Sequence, residues 1–104
     1  MHGLIPSLLG GSPQEIPELY DLASPITHVS ESSPPTLQLY GTHDFSGVGE
    51  QVVRLDESLP QSGVTSYLFE LPDCEHGFDL YKPQWSPAAQ AATFVTERFL
   101  ASLL

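Results

Sequence analysis

The sequence predicts an α/β fold in which a strand, a helix, a second strand and a second helix follow one another. Two segments, Thr36–Tyr40 (TLQLY) and Ser66–Leu71 (SYLFEL), are short, mostly apolar and rich in strand-forming residues, as buried parallel strands are. An amphipathic helical segment separates them and another follows. A strand, a crossover helix and a second strand form a right-handed unit with parallel strands, so we expect a β-α-β-α order.

Each of these helices is predicted from one apolar face and from the residues at its ends. The first is ended by Ser62-Gly63, and the second begins at Ser86-Pro87, a capping residue followed by a first-turn proline. The apolar face of the first, at helical spacing, is Val48, Val52, Leu55 and Leu59. The predicted core face of the second is Ala88, Ala91, Ala92, Val95, Phe99 and Leu103.

The first third of the chain is rich in proline, serine and glycine. A short helix is predicted at Leu4–Leu9, stopped by Gly10-Gly11, and Ser12-Pro13 should cap and begin another. The second helix would present Ile16, Leu19 and Tyr20 on one face, and residues 30–35 should form a loop. The sequence therefore divides into residues 1–35 and residues 36–104.

Composition excludes several classes of function. Thirteen acidic residues against three basic ones give a formal net charge of −10, so we expect no nucleic-acid partner, because that affinity comes mostly from Lys and Arg. Cys74 is the single cysteine, which excludes a disulfide within the chain. No stretch approaches the roughly 20 apolar residues of a membrane span, and the start lacks the pattern of a signal peptide. We expect a cytoplasmic protein.

Two residues that could do chemistry follow the two strands. Asp44 comes four residues after the first strand and His76 comes five after the second. Active sites of open α/β sheets lie beyond the carboxyl ends of the strands, and adjacent strands are about 5 Å apart, so these side chains can meet. A carboxylate there would fix the tautomer of the imidazole. The alternatives are an ordinary turn aspartate and an ordinary loop histidine.

Other polar and aromatic residues lie near this pair in the sequence. A metal site formed by His43, Asp44, Asp73 and His76 matches no standard zinc spacing, and we expect neither a metal nor a cofactor. The aromatic residues that follow the histidine could line a pocket or cover the sheet edge; they are Phe78, Tyr81 and Trp85.

Three stretches resemble bacterial esterases and lipases of the α/β-hydrolase superfamily. PPTLQLYGTHD is similar to their strand and acid turn, and ELPDCEHGFD to their histidine loop. LLGGSPQEIPELYDLASPITHV is similar to the cap-region helix and connection that precede the acid strand. The three occur in the family's order, cover nearly the whole chain and resemble most the acetyl-esterase, carbohydrate-esterase and hormone-sensitive-lipase-like branch.

This resemblance implies the C-terminal portion of a serine hydrolase that acts on small-molecule carboxylic esters. Residues 1–35 would be cap-region helices and their connection, and residues 36–104 the C-terminal β-α-β-α portion. Asp44 would be the triad acid and His76 the base. The family's G-x-S-x-G nucleophile motif has no match: in Gly10-Gly11-Ser12-Pro13-Gln14 the second glycine is missing, and Ser12 is interpreted as a helix cap.

We therefore expect the serine and the oxyanion loop upstream of Met1, and no activity of the isolated chain. Two other interpretations stay open: a non-catalytic fragment or association subunit, and an enzyme whose nucleophile comes from a partner chain. Two strands are too few for a stable parallel sheet, and a bare strand edge recruits other strands. The sequence thus predicts a homo-oligomer or pairing with a missing N-terminal portion.

Overall fold

The computed structural model describes residues 3–104, so the first two residues of the predicted segment 1–35 lie outside the described part. Three turns of 3-10 helix occupy Pro25–His28, Phe78–Leu80 and Pro83–Trp85. The other elements, in chain order, are α1 (Leu4–Leu9), α2 (Pro17–Ala23), β1 (Thr36–Gly41), α3 (Gly49–Gln61), β2 (Ser66–Leu71) and α4 (Pro87–Ser102). The predicted β-α-β-α order, preceded by short helices, is confirmed.

The sheet is formed by β1 and β2, which run parallel as predicted. Thr36 lies opposite Ser66, and the register continues to Gly41 opposite Leu71. Within residues 3–104 the sheet contains these two strands alone. Each strand therefore has one paired edge and one free edge, and both strands end at the same side of the molecule.

The ends of α3 and α4 form as the sequence predicts. The Ser86 hydroxyl accepts a hydrogen bond from the N–H of Ala89 at 3.2 Å, which satisfies one of the free donors at the start of α4. After α3, Gly63 adopts a left-handed conformation with φ of 79°. The N–H of Val64 then donates to the carbonyl of Leu59 at 3.0 Å. Carbonyls at the end of α3 thus have hydrogen-bond donors before β2 begins.

The second predicted helix begins later than expected, at Pro17 rather than at Ser12. Ser12 closes one turn with Glu15: its hydroxyl accepts from the Glu15 N–H at 3.3 Å, and the Glu15 carboxylate accepts from the Ser12 N–H at 2.7 Å. A residue that precedes proline is disfavoured in the helical region, and Ile16 has φ of −135° and ψ of 58°. Pro17 therefore separates the turn from α2.

The core is small and consists of a few residues of α3, β2 and α4 and one residue between α3 and β2. Among the residues that the structure describes, no large side chain is fully buried. In α4 the predicted core residue Ala92 is buried, but Leu103 is 49% exposed, because the helix ends at Ser102. The prediction for Leu103 is therefore wrong. The buried apolar residues are Leu59, Val64, Leu71, Ala89 and Ala92.

The molecule is a thin slab. Its extents are 45 × 32 × 18 Å and its radius of gyration is 15.8 Å. The helices of residues 3–104 are all too short or too polar to cross a membrane.

Candidate active site

The loops that follow β1 and β2 are joined by main-chain and side-chain hydrogen bonds. The N–H of Thr42 donates to the carbonyl of Leu71 at 3.0 Å, and the N–H of His43 donates to that of Cys74 at 2.9 Å. In the opposite direction, the N–H of Asp73 donates to the Thr42 hydroxyl at 2.8 Å. These bonds extend the contact between the strands into the two loops and fix their relative position.

Gly41, the last residue of β1, allows this close approach. A Cβ atom at this position would lie 2.1 Å from the carbonyl oxygen of Cys74, which is far inside contact distance. The carbonyl of Gly41 accepts a hydrogen bond from the N–H of Asp44 at 3.0 Å, so the chain turns directly after the strand. Any side chain at residue 41 would push the two loops apart.

Asp44 and His76 meet across these loops. Nδ1 of His76 lies 2.9 Å from Oδ2 of Asp44, within the range expected for an acid and base that work together. An ionised carboxylate can only accept hydrogen bonds, so Nδ1 carries the proton and Nε2 is left for other chemistry. The Asp44 side chain is 8% exposed and that of His76 56%. The predicted contact is present, while the catalytic roles stay a prediction.

Ser46 holds the other oxygen of the Asp44 carboxylate. Its N–H donates to Oδ1 at 2.8 Å, and its hydroxyl donates to the same oxygen. The Ser46 hydroxyl is the main reason that the pKa of Asp44 lies below its usual value, with the Ser46 N–H and His76 adding to it against an opposing effect of burial. Ser46 was not predicted from the sequence, although Asp side chains often bond the backbone two residues on.

A groove with a volume of about 800 Å³ opens beside the pair. Its lining comes from the end of β1, from the loop that follows β1 and Val52 of α3, from the loop that carries His76, and from α4. Of the three aromatic residues singled out in the sequence, Phe78 lines the groove, whereas Tyr81 and Trp85 are 67% and 73% exposed. The lining residues are Leu39, Tyr40, Asp44, Val48, Val52, His76, Gly77, Phe78, Asp79, Leu80, Ala92, Thr93 and Thr96.

The four residues considered for a metal site form two separate pairs. Nε2 of His43 lies 3.3 Å from Oδ1 of Asp73, with side chains 63% and 85% exposed. Over residues 3–104, no group of three or more His, Cys, Asp or Glu side chains is arranged to hold a metal ion. The Phe45 ring packs edge-on against the His76 ring, with centroids 5.6 Å apart.

The chain is similar in sequence to LipM of Mycobacterium tuberculosis, a probable carboxylic ester hydrolase. The two are 33% identical over 82 residues, which cover 78% of this chain and 18% of LipM. The chain thus spans about a fifth of the length of the curated relative that it matches. No family model matches the chain.

Two solved structures share the fold. Both are of a thermophilic esterase, Est2, from the planctomycete Thermogutta terrifontis, one in the native state and one with propionate bound. Each superposes with a TM-score of 0.75 at 22% identity over 94% of this chain, which corresponds to 32% of the native chain and 34% of the propionate-bound one. The chain therefore has part of an α/β-hydrolase fold, and by sequence it is related to a carboxylic ester hydrolase.

Proposed function

We propose that this chain, which is related to carboxylic ester hydrolases and has part of the α/β-hydrolase fold, supplies the acid and the base of a serine esterase. Asp44 is the acid and His76 the base. The hydrogen bond of 2.9 Å between Nδ1 and Oδ2 carries the proposal, because it leaves Nε2 of a groove-lining histidine to handle protons. The 32-residue separation and the loop positions support the same assignment.

In this mechanism Nε2 of His76 takes the proton of a serine hydroxyl while the serine oxygen attacks the ester carbonyl carbon. Asp44 stabilises the imidazolium and holds its orientation. His76 then returns the proton to the oxygen of the departing alcohol, which leaves an acyl-enzyme. Nε2 then takes a proton from a water molecule whose oxygen attacks the acyl carbon. The bond between the acyl carbon and the serine oxygen breaks, His76 returns the proton to the serine oxygen, and the carboxylic acid is released.

We assign the nucleophile and the oxyanion donors to no residue in the range 3–104. The Ser12 hydroxyl accepts a hydrogen bond from the Glu15 N–H, and Pro13 has no N–H with which to stabilise an oxyanion. In the proposed enzyme both functions come from other parts of the assembled protein. The isolated chain would then hydrolyse p-nitrophenyl acetate no faster than an exposed imidazole does, because it stabilises no transition-state charge.

The proposed substrate is a small carboxylic ester. The groove beside His76 is bounded mainly by apolar side chains, such as Leu39, Val52 and Phe78, which suit an acyl or alkyl group. Propionate, the ligand in one of the Thermogutta esterase structures, is the carboxylate that hydrolysis of a propionyl ester would release. The groove and this comparison both support an uncharged ester rather than a phosphate or nucleotide substrate.

A chimaeric enzyme tests the proposal. Residues 3–104 would replace the matching third of the Thermogutta esterase, and hydrolysis of p-nitrophenyl acetate would be measured in the folded chimaera. We expect turnover that His76→Ala abolishes and that Asp44→Asn lowers by about 10⁴ in kcat, the loss typical of a mispositioned triad histidine. His43→Ala, in the exposed pair of the same loops, is the matched control and should leave kcat unchanged.

Two outcomes contradict the proposal. One is a chimaera that is folded by circular dichroism and inactive. The other is equal turnover with and without His76. Robust turnover by the isolated chain that Ser12→Ala abolishes would instead make Ser12 the nucleophile.

A further inference from the structure

The hydrogen bond between His76 and Asp44 holds the imidazole at one atom, Nδ1. A single bond of this kind does not fix the plane of the ring, because the last side-chain torsion of a histidine has a broad range of low-energy values. The His76 side chain is 56% exposed, so water can reach the imidazole and compete for its hydrogen bond. A fixed ring plane, and with it a fixed direction of Nε2, therefore needs a second contact.

Phe45 supplies a second contact to the imidazole. Its ring centroid lies 5.6 Å from that of His76, and the two ring planes meet at 62°. Aromatic rings attract each other in such tilted arrangements when their centroids are about 4.5–7 Å apart. Because this attraction depends on the angle between the planes as well as on the distance, it restricts rotation of the imidazole about its last side-chain bond.

The turn that carries Phe45 is itself held by hydrogen bonds. On one side, the N–H of Asp44 donates to the carbonyl of Gly41 at 3.0 Å. On the other, the N–H of Ser46 donates to Oδ1 of Asp44 at 2.8 Å, which is the turn that Asp side chains form with the backbone two residues on. Phe45 is the residue between Asp44 and Ser46. Both partners of His76, the carboxylate and the aromatic ring, therefore come from one hydrogen-bonded segment.

We propose, on the basis of the proposed esterase function, that Phe45 is a positioning residue whose ring keeps Nε2 of His76 directed at the serine hydroxyl. In this role Phe45 transfers no proton and acts through His76 alone. Displacing a catalytic group by about 1 Å can lower a rate by about 10²-fold. Loss of the Phe45 ring should therefore lower turnover without weakening the binding of the ester.

The first test measures the motion of the His76 ring in the full chain by carbon-13 relaxation. We expect an ordered Cδ2–H bond in the wild type. In Phe45→Ala its order parameter should fall below about 0.6, the value that marks flexible groups, and Phe45→Tyr, which keeps the ring, should restore it. The matched control is Phe94→Ala, the same exchange on α4, where the ring lies 5.4 Å from Cζ of Arg98; it should leave His76 ordered.

The second test uses the chimaeric esterase and separates turnover from binding. Phe45→Ala should lower kcat for p-nitrophenyl acetate by about 10- to 100-fold, as expected for a displaced catalytic group, and should leave KM unchanged. Phe45→Tyr should restore kcat. Circular dichroism at the assay temperature gives the folded fraction, so that a loss of fold is not mistaken for a loss of kcat.

The outcomes distinguish this role of Phe45 from the proposed function. Equal turnover with and without His76 would contradict the function and, with it, the role of Phe45. If His76→Ala abolishes turnover while Phe45→Ala keeps the wild-type kcat, the function stands and the role of Phe45 is wrong. A raised KM at unchanged kcat, or an unchanged order parameter in folded Phe45→Ala, would also overturn the proposal. If Phe45→Ala does not fold, Phe45→Leu, which keeps an apolar side chain without a ring, decides in its place.

Discussion

Two histidine–aspartate pairs join the same two loops, in opposite directions. His76 of the second loop meets Asp44 of the first at 2.9 Å, and His43 of the first meets Asp73 of the second at 3.3 Å. The Asp44 side chain is 8% exposed, whereas that of Asp73 is 85% exposed. Residue types and loops are the same in both, so burial of the carboxylate and its second hydrogen-bond donor, Ser46, distinguish the candidate catalytic pair from a surface ion pair.

Both pairs depend on the close approach of the loops at Gly41. A substitution of Gly41 should therefore cause the largest loss of stability. Gly41→Ala would place a Cβ atom against the Cys74 carbonyl and should lower the free energy of unfolding by about 1–3 kcal/mol, the usual cost of overpacking. Chemical denaturation measures the loss of stability, and the NMR signals of His43 and His76 should both shift. Gly49→Ala, whose Cβ would lie at an ordinary 3.5 Å from Tyr40, is the control; equal losses for the two variants would contradict the expectation.

The next largest effect is expected for Asp44→Asn, which should alter the Asp44–His76 pair and leave the His43–Asp73 pair unchanged. Asp44→Asn replaces an obligate acceptor with an amide that can also donate, so the neutral imidazole of His76 is no longer held with its proton on Nδ1. Nitrogen NMR of labelled histidine should show Nδ1–H in the wild type and a mixture of tautomers in the variant. The signals of His43 should not change, and a wild-type His76 with its proton on Nε2 would refute the proposed hydrogen bond.

A smaller change at Ser46 tests why the Asp44 side chain favours its ionised form over its protonated form. Ser46→Ala removes the hydroxyl donor but keeps the N–H, so the pKa of Asp44 should rise towards its ordinary value of 3.8 without leaving the acidic range. Carbon NMR of the carboxyl group measures this pKa directly. Ser46→Thr keeps a hydroxyl and should restore the wild-type pKa; if it behaves like Ser46→Ala, the hydroxyl is not the cause.

The lowered pKa of Asp44 also predicts how stability depends on pH. Ser46 and His76 favour the ionised form in the folded state, so the stabilisation is fully present above the unfolded pKa, near 3.8. It is lost as the pH falls through the lower pKa of the folded state. The difference in free energy of unfolding between the wild type and Asp44→Asn should therefore shrink between pH 5 and pH 2. A difference that stays constant over this range would contradict the linkage.

The sequence predicts the placement of these loops better than the contacts within them. Periodicity and turn residues suffice for β1, β2 and the cap at Ser86, and the rule for carboxyl ends of neighbouring strands brings Asp44 to His76. The pattern does not predict the second pair, His43 with Asp73, because periodicity does not fix the side-chain directions after the strands end. The bonds from Ser46 to Asp44 follow a common local pattern of Asp side chains, so this contact could have been predicted from the sequence.

A substitution in the exposed pair, His43 with Asp73, should change the stability least. Asp73 has a φ of 57°, a left-handed conformation that Asn adopts more readily than most residues, so Asp73→Asn removes the charge without straining the backbone. Exposed ion pairs contribute little because water and salt screen them, and the free energy of unfolding should change by no more than about 0.5 kcal/mol, as for most surface substitutions. The tautomer of His76 should also stay the same, since its carboxylate partner is bound from the other side by Ser46. A large loss of stability, or a change in the His76 signals, would mean that the two pairs act as one network, and the distinction drawn from their burial would then be wrong.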